Sequence, residues 1–148
     1  MDELIQVETD LFEHREVKAH FINPCCFGED FAAWLRQELS LVPGGGFDLS
    51  ETIQEDYGWG FWASRRGDRF WIALSYVGDG PQPESAQWII SVAYDPGFNL
   101  VKRLFRLHHR EARELLITLI TQVIGSNNAI KTIEVNEGLL MKDEGGVR

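Results

Sequence analysis

The chain has 148 residues, 44% of them apolar and 25% charged, a length that suits one domain and a composition that excludes wholesale disorder. Acidic residues outnumber basic ones 23 to 14 and leave a net charge of −9, so the chain has no general attraction for nucleic acid or anionic lipid. No stretch approaches the roughly 20 apolar residues that cross a bilayer, and Met1-Asp2-Glu3 is acidic where a secretory signal is basic. Export and membrane insertion are not expected, and a cytoplasmic location is.

Leu4, Val7 and Leu11 stand at helical spacing among acids, which predicts a short amphipathic helix over residues 2–12. Residues 15–22 alternate, with Val17, Ala19 and Phe21 on one side, and predict a strand that Asn23-Pro24 stops. Cys25 and Cys26 are adjacent, so they make no disulfide scaffold. With His14 and His20 they do not have a zinc spacing either, and neither metal nor cofactor is expected. They read as reduced thiols packed at the start of a helix. In that helix Phe27, Phe31, Trp34, Leu35, Leu39 and Val42 recur at three and four residues, Glu29 and Asp30 suit its first turn, and Pro43 and Gly44 to Gly46 end it.

Residues 47–56 are acidic and weakly patterned, with part of an edge strand at most. Tyr57 to Ser64 alternates, Arg65-Arg66-Gly67-Asp68 turns, and Arg69 to Val77 alternates again. Gly67 can supply the positive φ that a tight hairpin needs. Pro81 and Pro83 mark an exposed loop, Gln87 to Tyr94 a further strand, and Asp95-Pro96-Gly97 a turn. Residues 98–107 read as a turn or short helix. A helix over 109–124 carries a stripe of Ala112, Leu115, Leu116, Leu119, Ile120 and Val123, with Gly125 as its stop. Ile130, Ile133 and Val135 suggest a last strand, and residues 139–148 a frayed tail. The order β-α-β-β-β-β-α-β predicts one α+β domain over residues 1–138. Its mostly antiparallel sheet has about five to six strands, with two main helices packed on one face.

The hairpin carries the most information. If the turn pairs Ser64 with Arg69, then Trp62 faces Trp71, Gly60 faces Ala73 and Gly58 faces Ser75. The other face then holds Tyr57, Trp59, Phe61, Phe70, Ile72, Leu74 and Tyr76, continued by Trp88, Ile90 and Val92, as the helix-covered core. Trp62, Trp71 and Ile89 are left among Gly, Ala and Ser, a shallow platform with rigid anchors of the kind that carries interface energy. The same tryptophan pair also serves plain hairpin packing.

Charge is segregated. Residues 102–113 carry +4, so the remainder carries −13. Arg103, Arg106 and His109 are candidates for an anion site at the start of the second long helix; a solvated rim is the simpler use of the same charges. Glu51, Glu55 and Asp56 precede the aromatic strand and would attract a basic partner beside Trp62, Trp71 and Ile89. The chain has no nucleophile elbow, Walker loop, His-Glu-x-x-His or dinucleotide fingerprint, and no catalytic residue is assigned.

Phe21-Ile-Asn-Pro-Cys-Cys-Phe-Gly-Glu-Asp30, Gln54-Glu-Asp-Tyr-Gly-Trp-Gly-Phe61 and Lys102-Arg-Leu-Phe105 resemble segments of small uncharacterised bacterial proteins of unknown function. The resemblance implies a bacterial, cytoplasmic, single-domain protein and carries no activity. Size and charge suggest a non-enzymatic protein-binding module, in one version an acidic immunity-like protein neutralising a basic partner. The alternatives are a small-molecule or anion-binding protein, or small hydrolase, using Arg103, Arg106 and His109, and a homo-oligomer joined through a strand or the tryptophan face.

Overall fold

Ile5, Val7 and Thr9 bury one side of an extended segment, and the period of two makes Glu3–Thr9 strand β1. The computed structural model describes residues 3–21, 27–77, 86–96 and 109–136. The helix expected over residues 2–12 is therefore replaced by a strand. Val7 is fully buried while Leu11 is 48% exposed, so the spacing that suggested one stripe does not place these residues on one face. The expected strand over 15–22 is not formed within residues 15–21 either. The Glu13 carboxylate instead accepts the backbone N–H groups of Arg15 (2.7 Å) and Glu16 (2.8 Å), and a turn closes from Phe21 N–H to Lys18 carbonyl. Local bonds of this kind offer the backbone an alternative to a ladder.

Helix α1, Glu29–Leu41, buries Phe31, Ala32, Leu35 and Leu39. Gly28 precedes it at φ +126°, a backbone conformation in which any side chain would be strained. Asp30 ties its first turn to the preceding loop by accepting from Glu13 N–H at 2.8 Å. Two short strands follow, β2 (Asp48–Leu49) and β3 (Ile53–Glu55). Then come β4 (Gly58–Arg65), β5 (Asp68–Val77) and β6 (Ala86–Asp95). Helix α2, Arg110–Gly125, and strand β7, Lys131–Asn136, complete the described chain. Gly125 lies inside α2 and does not stop it: the cap is Ser126 in right-handed geometry, its N–H bonded to the Gln122 carbonyl. The cysteine pair, residues 98–107 and the tail after 138 lie outside the described residues.

The architecture is α+β, with an antiparallel sheet and two helices among the described residues. Among the described residues the strands number seven rather than five to six, because residues 47–56 supply two short ones and 3–9 a further one. The sheet runs β2-β4-β5-β6-β1-β7, with β3 also on β4. Its first strand is thus interior, antiparallel to both β6 and β7. Both helices contribute to one cluster that includes Phe31, Leu35, Phe61, Phe70, Trp88 and Ile120.

Candidate functional site

The β4–β5 hairpin closes through Arg66 (φ +52°) and Gly67 (φ +83°), and Arg65 pairs with Asp68. Two positive φ values in a two-residue loop match the twist of the strands it joins. Ser64 meets Arg69, Trp62 meets Trp71 and Gly60 meets Ala73, the register the alternation predicts. Trp59, Phe61 and Ala63 on β4 and Phe70, Ile72 and Leu74 on β5 are buried beneath the helices, so the opposite parity faces away from them.

The pairings order that outer face into ranks. One rank is Asp48, Ser64, Arg69 and Asp95, and the next is Trp62, Trp71 and Ala93. Ile53, Gly60, Ala73, Ser91 and Leu4 follow. The fourth rank includes Ser75, Ile89, Gln6 and Glu134, with Glu55 and Gly58 at the same level on β3 and β4. Trp62, Trp71 and Ile89 are each half-buried, around small residues.

Each indole has an intramolecular neighbour. The Trp62 and Trp71 rings lie 4.9 Å apart at 55°. The Arg69 guanidinium stands 4.2 Å above the Trp62 ring and is held by Asp95 at 2.5 Å. Trp71 Nε1–H donates to the Tyr57 hydroxyl at 2.5 Å, and the Trp71 ring covers Gly60. The alternation predicts Tyr57 in the core; it is instead 49% exposed. It belongs to the two-residue turn Asp56-Tyr57 between β3 and β4, so strand parity does not extend to it. Burial is the main cause that raises the Tyr57 phenol above its ordinary value, and the negative field of Glu55 adds to it, against the lowering effect of the Trp71 N–H.

The acidic candidates lie along the β2–β3 side of this face. Glu51 is 93% exposed and approaches Arg36 at 3.7 Å; Arg36 also donates to the Ser50 carbonyl at 2.5 Å. Ser50 docks this segment on β4 by accepting the Trp62 N–H through its hydroxyl (2.8 Å) and donating its own N–H to the Trp62 carbonyl. Glu55 and Asp56 are exposed beside Tyr57. Arg69, Asp95 and Ser50 were absent from the sequence-based candidates. The first two follow from the same parity, since Arg69 is two residues from Trp71 and Asp95 two from Ala93; no signal pointed to Ser50.

The anion candidates are not brought together within the described residues, because Arg103 and Arg106 lie outside them. His109 is buried on the helix-covered side, its ring stacked on Tyr94 at 3.8 Å and 3°. The Tyr94 hydroxyl reaches Asp68 at 3.4 Å, and burial followed by the Asp68 charge raises its phenol. A cavity of about 60 Å³ between α1, β2 and α2 is lined by apolar side chains, backbone and Ser40. Among the described residues no three His, Cys, Asp or Glu side chains are grouped to hold a metal ion, and no helix is long and apolar enough to cross a membrane.

No family model, no curated protein and no solved structure matches this chain.

Proposed function

We propose that this protein is a non-enzymatic binding module that docks a basic protein partner on the outer sheet face, in the manner of an acidic immunity protein. The observation that carries the reading is the pairing of half-buried anchors with an acidic surround. Trp62, Trp71 and Ile89 stand among Ala73, Ser75, Ser91 and Ala93. Asp48, Glu51, Glu55, Asp56, Asp95, Glu8 and Glu134 accompany them on the face or its margins, against Arg36, Arg66, Arg69 and Lys131. Anchors of this kind supply affinity, and a field of one sign speeds encounter and selects the partner.

The test is affinity capture followed by direct binding measurement with the identified partner. A basic protein retained by the wild type and lost with Ile89→Asp, at unchanged circular dichroism, supports the reading. A partner that is acidic, or one held equally by Ile89→Asp, refutes it.

One observation favours self-association as a second reading. Ile133 and Val135 on β7, the last strand in the sheet order, are 43% and 47% exposed. Strands so placed invite pairing with another chain. Light scattering across a concentration series reads this out, and a constant monomer mass rejects it.

A further inference from the structure

We infer that the corner formed by Trp71, Tyr57 and Glu55 receives the guanidinium of an arginine side chain from the docked partner. The inference rests on the docking reading above and names the chemistry of one subsite within it.

The sheet already uses this chemistry once. Arg69 lies over the Trp62 indole with its guanidinium anchored by the Asp95 carboxylate, an aromatic face and an anion acting on one flat cation. Across the hairpin the same two ingredients recur around Trp71. Its indole extends over Gly60 to the Tyr57 hydroxyl. Strand β3 runs alongside, with Ile53 opposite Gly60 and Glu55 opposite Gly58, so Glu55 stands at the Tyr57 end of that ring. The negative field of Glu55, which adds to the raising of the Tyr57 phenol, accords with that position.

The positions are accessible. Tyr57 is 49% exposed, Ile53 is 40% exposed, and Glu55 is exposed. The bond from Trp71 Nε1–H to Tyr57 fixes the two rings relative to each other, so little ordering remains to be done on binding. Arginine fits better than lysine. A guanidinium stacks flat on an indole and is weakly hydrated, while an ammonium is a strongly hydrated point charge. The surrounding excess of carboxylates complements a basic segment carrying such a residue.

The experiment follows the Trp71 indole N–H resonance in the full-length, isotopically labelled protein, assigned with Trp71→Phe. The probes are acetylated, amidated tri-arginine and tri-lysine peptides. The expected result is a saturable displacement of that resonance by tri-arginine, with half-saturation at a concentration about threefold or more below that for tri-lysine. Glu55→Gln, an exposed substitution that keeps the fold, weakens tri-arginine binding about threefold or more. A resonance that does not move, moves equally with tri-lysine, or moves equally in Glu55→Gln overturns the inference. Partner capture separates this from the wider reading. If Ile89→Asp loses the partner and Glu55→Gln retains full affinity, the corner assignment fails and the docking face stands. If Ile89→Asp retains the partner, both fail.

Discussion

The Trp71 indole lies against Gly60 so closely that a Cβ built on the glycine would fall 2.5 Å from ring atom Cζ2 and 2.4 Å from the Ile72 carbonyl oxygen. A glycine in a strand leaves a gap in the sheet surface, and a cross-strand aromatic ring laid over it covers the exposed backbone. Gly60→Ala must therefore displace both backbone and ring. It is expected to cost about 1–3 kcal/mol, in the range of overpacked sites. Urea unfolding measures the loss, and the Trp71 indole resonance should shift in the same variant.

Gly125 gives the opposite sign. It is the last residue of α2, and a Cβ there meets nothing within 4 Å. Its φ is not in the left-handed region, so alanine adopts the same backbone without strain. Gly125→Ala is expected to stabilise the fold by about 0.5–1 kcal/mol through the lower entropy of the unfolded chain. A denaturation midpoint that falls would contradict this.

Thr9 closes β1 onto the loop before β7. It is 2% exposed, and its hydroxyl donates to the Ala129 carbonyl at 2.8 Å while accepting from Leu11 N–H at 3.2 Å. Thr9→Val keeps the shape and leaves both groups without that partner. The expected cost is about 1–3 kcal/mol. Faster amide exchange at Leu11 would show that the loss is local.

Arg69→Ala removes the guanidinium from the Trp62 face and from Asp95. The side chain is half-exposed, so the cost is expected to be small, about 0.5–1 kcal/mol. The clearer readout is spectroscopic: the uncovered Trp62 should shift tryptophan emission to longer wavelength. Unchanged emission would mean that the stack is not kept in solution.

Glu13 gives a pH dependence. The backbone N–H groups of Arg15 and Glu16 hold its carboxyl below the usual value of 4.5, the Arg15 bond contributing most. A folded value below the unfolded one adds stability that is fully present above pH 4.5 and is lost as pH falls through the folded value. Glu13→Gln should therefore flatten the decline of stability below about pH 4.5 and change little of its slope at neutral pH. An identical acid limb in the variant would exclude Glu13 as a contributor.

The hairpin was legible because its determinants are local. Alternation, a Gly67 able to take positive φ and a two-residue loop together set the facing of Trp62 and Trp71. Strand β1 was not legible in the same way. What makes residues 3–9 extended is pairing with β6 and β7, whose residues lie far along the chain, and nothing in the spacing of Leu4, Val7 and Leu11 reports those partners. Residues 15–21 show the converse, where real alternation yields to a carboxylate that captures two backbone donors. Alternation assigns Tyr57 to the core face, but Tyr57 lies in the turn just before β4, where strand parity does not hold. Of the candidate site, the anchors and acids were readable by type and register, while the neighbours that hold each indole depend on side-chain reach.

The position of β1 between β6 and β7 also bears on how the chain is born. At about 5–20 residues per second on the ribosome, its second flanking strand is synthesised on the order of ten seconds after it. Until β6 is made Ile5 and Val7 have no sheet to enter, and until β7 follows one side of the segment still offers open backbone groups. The nascent protein thus passes through a sticky adolescence whose length is set by translation speed, and slower decoding of the later segments would prolong its need for a chaperone.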